Sequence, residues 1–139
     1  MVVLIDSNII LDYMLKNQGF FEDAEDVLVL AESGKYTGYV SASAITDIYY
    51  IARKAHGSKE KALSLIRELL DSVHVALVDE GVIRNAVDLE WNDFEDAVQF
   101  SVGSQVNADY IVTRDPKGFS GSKIEVADPK SLISMLASE

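Results

Sequence analysis

Two short apolar runs, more than a hundred positions apart, each deliver an aspartate just past their last residue. Val2-Val3-Leu4-Ile5 runs straight into Asp6, and Tyr110-Ile111-Val112-Thr113 runs through Arg114 into Asp115. A continuous Val/Ile/Leu run without polar alternation reads as a strand buried on both faces, the kind found in parallel sheets covered by helices. In such sheets ligands gather in the crevice beyond the carboxyl ends of the strands. Two acids brought there from distant parts of the chain point to a metal or acid–base site.

The stretches between the two runs read as alternating helices and strands. Asp6 or Ser7 can cap a short helix to Leu15, with Ile9, Ile10 and Tyr13 on its apolar side, and Asn17-Gln18-Gly19 breaks it. Phe20 to Ser33 repeats apolar residues at helical spacing, and Gly34 stops it. Tyr36–Val40 reads as a second strand. Ser41 or Ser43 then caps a helix ending near His56-Gly57. Ser58 opens a helix carrying Ala62, Leu63, Leu65, Ile66, Leu69 and Leu70, an apolar face broad enough to be shared with a partner subunit. Val73–Val78 is the third strand, and Asp79 caps a helix to about Glu90. Trp91-Asn92 interrupts before a helix over 93–106, which leads into the Tyr110–Val112 strand. After a Gly/Ser/Pro loop come a fifth strand, Ile124–Val126, and a last helix opened by Asp128-Pro129. This order predicts an α/β fold: a three-layer α/β/α sandwich around a central parallel sheet of four or five strands, with residues 1–139 as one domain.

Composition removes several chemistries. With no cysteine there is no disulfide, zinc–thiolate site or thiol nucleophile, and the two histidines, His56 and His74, stand apart. The first apolar run meets an acid too soon for a signal peptide or membrane span, so a cytoplasmic protein with no membrane partner is expected. The formal charge of −11, from 23 acids against 12 bases, repels nucleic acid at long range. A nucleic-acid substrate therefore requires cations, a local basic patch or a partner to offset that charge. Arg53, Lys54, Lys59, Lys61 and Arg67 on the two middle helices form a possible basic rim, or else a scatter of solubilising charges.

Two further acids belong with Asp6 and Asp115. Asp47 lies among Ala44, Ile45, Ile48 and Tyr49, and Asp96 lies near a helix N-terminus that favours negative charge. Asp93 precedes Asp96 by three residues and shares its face, so one can bind a metal while the other holds a water. Each acid has an ordinary reading too: Asp6 and Asp96 as helix caps, Asp115 as a turn residue before Pro116, Asp47 as a solvated helix acid. Carboxylates forced together cannot all stay ionised without cations, and all-oxygen ligands favour Mg²⁺ or Mn²⁺. Such a site suits hydrolysis of a phosphodiester.

Four segments, in order, resemble the motifs of PIN-domain ribonucleases: Leu4-Ile5-Asp6-Ser7-Asn8-Ile9-Ile10-Leu11-Asp12, Ala44-Ile45-Thr46-Asp47-Ile48-Tyr49-Tyr50, Asp93-Phe94-Glu95-Asp96-Ala97, and Ile111-Val112-Thr113-Arg114-Asp115. Each motif alone is weak; four at these spacings are specific. The resemblance implies a Mg²⁺- or Mn²⁺-dependent endoribonuclease acting on single-stranded or structured RNA. It further implies a stand-alone toxin of the VapC type, with a small antitoxin protein as partner. On this resemblance Asp6, Asp47, Asp96 and Asp115 are the catalytic acids, with Asp6, Asp96, Asp115 and Asp93 as candidate metal ligands. Asn8 supports the site by hydrogen bonding, Thr113 orients Asp115 or a water, and Arg114 contacts phosphate. A two-fold homodimer through the Ser58–Leu70 helix and its neighbour Ile45–Arg53 is expected.

One position departs from the pattern. The second motif usually carries Glu, and Asp47 is a methylene shorter, which leaves its carboxylate about 1.5 Å short. The predicted geometry therefore brings Asp6, Asp96 and Asp115 within metal-bridging reach and holds Asp47 farther out. Three other readings compete. A receiver-like phosphoacceptor wants adjacent acids after strand 1, where Ser7-Asn8 stand, and a haloacid-dehalogenase-like phosphatase wants an acid where Asn8 stands. A non-catalytic PIN-fold binding module is the stronger rival, favoured by the acidity and by Asp47.

Overall fold

The computed structural model describes residues 1–138. Its five strands are β1 (Val2–Ile5), β2 (Thr37–Ser41), β3 (His74–Ala76), β4 (Tyr110–Val112) and β5 (Glu125–Ala127). They form one parallel sheet in the order β3-β2-β1-β4-β5. Seven helices cover it: α1 (Ser7–Met14), α2 (Phe21–Glu32), α3 (Ala42–His56), α4 (Lys59–Ser72), α5 (Glu80–Leu89), α6 (Phe94–Gln105) and α7 (Pro129–Ala137).

The pleat of β1 explains the three layers. Val3 and Ile5 point into a core built with α1, α2, α3, α4 and α7, while Leu4 points the other way into a core built with α5 and α6. Strand β4 repeats the alternation, Val112 joining the first core and Ile111 the second. The unbroken apolar runs are therefore the mark of strands covered on both faces. Helix starts follow their caps: Ser41, Ser58, Asp79, Asp93 and Asp128 each accept a backbone N–H of the first turn. At the far end of α3, Gly57 takes the left-handed conformation that stops the helix.

The structure trims three expectations. Strand β3 is three residues long rather than the six of Val73–Val78, because as an edge strand it pairs only with β2. Its Val75 and the following Leu77 stay exposed. The Gly/Ser/Pro loop contains a 3-10 helix, Pro116–Phe119, anchored by buried Phe119. Helix α4 turns Ala62, Leu65 and Leu69 inward and half-buries Leu63 and Ile66, so Leu70 is the large apolar side chain it leaves exposed. That is less free surface than the sequence pattern promised.

Topology then fixes where a ligand can sit. From β1 the chain steps outward to β2 and β3, then returns to the other side of β1 for β4 and β5. The strand order thus reverses between β1 and β4, and the crevice beyond their carboxyl ends is the switch point where open α/β sheets bind ligands.

Candidate active site at the switch point

Register brings the first two site residues together. Leu4 pairs with Ile111 and Ile5 with Val112, so Asp6 and Thr113 come next, side by side. The Asp6 N–H donates to the Val112 carbonyl at 3.0 Å, and the Thr113 N–H to the Ala127 carbonyl at 3.0 Å. The buried Thr113 hydroxyl donates its one proton to Asp6 Oδ2 at 2.8 Å. Its oxygen accepts from Asn8 Nδ2 at 3.3 Å and from the Asp115 N–H at 3.1 Å, which uses its full capacity. Asp6 Oδ1 accepts the Ser7 N–H at 2.8 Å and caps α1. Asn8 Oδ1 accepts the Arg114 N–H at 3.3 Å, which fixes the way round of its amide. Burial pushes the Asp6 carboxyl above its ordinary range; the Thr113 and Ser7 hydrogen bonds oppose that push and the charge of Asp115 adds to it.

The other side of the cleft belongs to α6. Asp93 Oδ1 accepts the Asp96 N–H at 3.0 Å and caps the helix, so the capping role falls to Asp93 and not to Asp96. Asp96 is half-buried and its pKa is pushed up to about 6, first by burial, then by the charges of Asp93, Asp6, Glu95 and Asp115. Its carboxylate lies against Gly118, where an added Cβ would fall far inside contact distance. Glu95 is raised as well, first by burial and then by Asp47, Asp6 and Asp93.

Each predicted residue can now be placed. Asp6, Asp96, Asp93 and Asp115 share one another's fields across the switch point. Asp47 is exposed on α3, and its charge is felt at Glu95. Asn8 and Thr113 lie in the hydrogen-bonded network around Asp6. Among the described residues no group of three or more His, Asp or Glu side chains is gathered to hold one metal ion. Mutual repulsion works against such a gathering.

Arg114 is engaged through one edge: its Nε lies 3.1 Å from Asp12 Oδ2, and its guanidinium carbon sits 4.1 Å from the centre of the Phe20 ring, while its side chain stays 41% exposed. The residues of the expected basic rim are exposed, with Arg53 six positions beyond Asp47 along α3, about 9 Å of helix. Sequence reasoning passed over Glu95, whose signal was three acids within four residues at a helix start. Lys117 was also missed: it lines an open groove of about 370 Å³ together with Asp93, Asp96, Gly118 and Trp91.

The donors available are carboxylate oxygens, the chemistry of a hard divalent cation. Each Asp6 oxygen accepts one hydrogen bond and keeps a lone pair, so the donor set suits such an ion even though it is not drawn together.

Comparison with known proteins agrees with this architecture. A sequence model of the family described as PIN domain matches residues 2–117. No curated protein matches the chain in sequence. Among solved structures, VapBC2 from Rickettsia felis bound to a DNA fragment from their promoter is similar with a TM-score of 0.72 at 17% identity, covering 92% of this chain and 98% of that one. VapC20 of Mycobacterium tuberculosis, described as a sarcin-ricin loop cleaving toxin, gives a TM-score of 0.70 at 14% identity over 89% of this chain and 98% of its own. VapBC-1 from nontypeable Haemophilus influenzae gives 0.68 at 20% identity over 94% and 99%. At these identities the structures speak for the fold, and the sequence match over 2–117 speaks for descent: the chain belongs to the PIN-domain family.

Proposed function

We propose that this protein is a divalent-metal-dependent endoribonuclease, the toxin of a toxin–antitoxin pair. The observation that carries this reading is the clustering of acids at the switch point: Asp96, raised to about 6 first by its burial, also feels acids from the start of α6, the end of β1 and the turn after β4. Asp6, Asp96 and Asp115 would hold Mg²⁺ or Mn²⁺, with Asp93 as a further ligand or the holder of a water. A bound divalent ion supplies charge neutralisation and a more acidic water for phosphodiester hydrolysis. Thr113 orients Asp6 and the turn that carries Asp115. Lys117, beside the groove at Asp96, takes the phosphate-contact role that the sequence suggested for Arg114. Asp47 stands at the outer rim.

The structural relatives support the biological setting. VapC20 is described as a sarcin-ricin loop cleaving toxin, and a further similar structure is described as a toxin–antitoxin complex from Klebsiella pneumoniae. The reading accordingly includes an RNA substrate and a small antitoxin partner. It also includes a homodimer using the exposed Tyr50, Ile51 and Leu70 of α3 and α4, and a cytoplasmic location. Among the described residues no helix is long and apolar enough to cross a membrane. A second reading, a PIN-fold module that binds without cleaving, is favoured by the exposed Asp47 and by the absence of a gathered ligand group among the described residues. Purified protein incubated with single-stranded RNA separates the two. Cleavage is expected on adding Mn²⁺ or Mg²⁺ and none in EDTA. Cleavage that ignores EDTA overturns the metal site, and RNA binding without cleavage at any metal concentration selects the binding module.

A further inference from the structure

Resting on the nuclease reading, we infer that Asp12 and Arg114 are a positioning pair that clamps the turn carrying Thr113 and Asp115. Asp12 is the most buried acid of the described chain, 1% exposed on α1. Both its oxygens are taken: Oδ1 by Asn17 Nδ2 at 2.8 Å and Oδ2 by Arg114 Nε at 3.1 Å. A buried carboxylate that loses its cation is strongly destabilising, so Arg114 is bound to that spot by more than its own contact. Its guanidinium also packs over Phe20, whose loop is tied to Asp12 through Asn17.

The geometry is that of a two-point grip. Asn8 and Asp12 are four residues apart and share one face of α1. Asn8 holds residue 114 by its backbone N–H at 3.3 Å, and Asp12 holds it by its side chain. The residues on either side, Thr113 and Asp115, are the ones joined to Asp6 through the Thr113 hydroxyl. A turn pinned at its centre by backbone and side chain together cannot swing Asp115 without unpairing Asp12. Through its Nε and its backbone N–H, the arginine beside the acid serves the protein's own geometry.

The test uses Asp12→Asn, Arg114→Gln, their double variant and Arg114→Lys, read by RNA cleavage kinetics and by amide hydrogen exchange at Thr113 and Asp115. A positioning role predicts that Asp12→Asn and Arg114→Gln each lower kcat by about 10- to 100-fold, with KM changed by less than about twofold. The double variant should be no worse than either single one, and Arg114→Lys should fall between the parent and Arg114→Gln. Exchange at the two amides should quicken by about tenfold or more in the Asn and Gln variants, while the β2 amides stay as they were. A raised KM and a shallower salt dependence for Arg114→Gln, with Asp12→Asn at or above the parent rate, overturn the clamp in favour of a phosphate contact. If the parent cleaves no RNA, the nuclease reading falls by itself. Exchange then decides the clamp: unchanged protection at both amides rejects it, and faster exchange in both single variants sustains it.

Discussion

The two walls of the acid cleft are built on opposite principles. On the strand wall, Asp6 is buried, each of its oxygens accepts a hydrogen bond, and its neighbour Thr113 has every donor and acceptor engaged. On the helix wall, Asp93, Glu95 and Asp96 crowd the start of α6, Asp93 serves as cap, and Asp96 and Glu95 are pushed up first by burial and then by neighbouring acids. One wall holds a carboxylate in place with dipoles; the other stores charge. On the proposed metal-site reading, the contrast teaches how one site can combine geometric precision with a pull on cations. Fixed hydrogen bonds position a ligand group, and uncompensated charge supplies the affinity.

The sharpest way to break this comparison is to neutralise each wall in turn. Asp6→Asn and Asp96→Asn should each lower RNA cleavage by at least ~100-fold, since losing a central ligand removes several kcal/mol of transition-state stabilisation. Full activity in Asp6→Asn, with contaminating nuclease excluded, would end the metal-nuclease reading. The next effect separates the walls. Thr113→Val should destabilise the protein by about 1–3 kcal/mol in urea denaturation, because buried Asp6 loses its donor and Asn8 an acceptor. Thr113→Ser should keep most of that stability, and an unaltered Thr113→Val midpoint would show the strand-wall network to be idle.

Acidity tests the raised carboxyls together, Asp96 and Glu95 on the helix wall and Asp6 on the strand wall, and the Asp96 variant separates the helix wall's share. An Asp96 carboxyl raised from 3.8 to about 6 binds its proton more tightly in the folded than in the unfolded protein. Metal-free stability should therefore rise as pH falls through about 6 towards about 4, and be lost again as pH returns to neutral. Melting in EDTA across that range checks it, and Asp96→Asn should flatten the rise. The smallest effect belongs to the rim: Asp47→Glu should leave the cleavage rate unchanged or raise it a few-fold, whereas a large loss would mean that Asp47 already sits at its working distance.

Much of this was readable before the fold was known, and the exceptions have physical causes. β1 and β4 declare themselves because strands covered on both faces must be apolar throughout, and caps such as Ser58, Asp79 and Asp128 mark helix starts by chemistry alone. β3 was overread because Val73–Val78 looks apolar, while an edge strand stops where its single partner does. Asp6, Asp96 and Asp115 were legible as site candidates from strand ends and a helix start. The destination of Arg114 was not, because Asp12 lies 102 positions away; its one signal was an acid three residues after buried Ile9 on the inner face of α1. Glu95 stayed hidden because local spacing cannot tell which of three neighbouring acids turns towards Asp47.

The central position of β1 has a consequence in time. Val3 pairs with Gly38 on one side and with Tyr110 on the other, so half of its pairing is available early and half only 72 residues later. At ~5–20 residues per second, translation takes roughly 4–14 s to get from the first partner strand's reach to the second's. Until β4 emerges, Asp6 has no Thr113 to hold it and no Asp115 beside it. A ribosome making this protein thus carries, for all of that interval, a nascent chain whose cleft lacks Thr113 and Asp115, and the strand wall is whole only once β4 and the turn after it have been made.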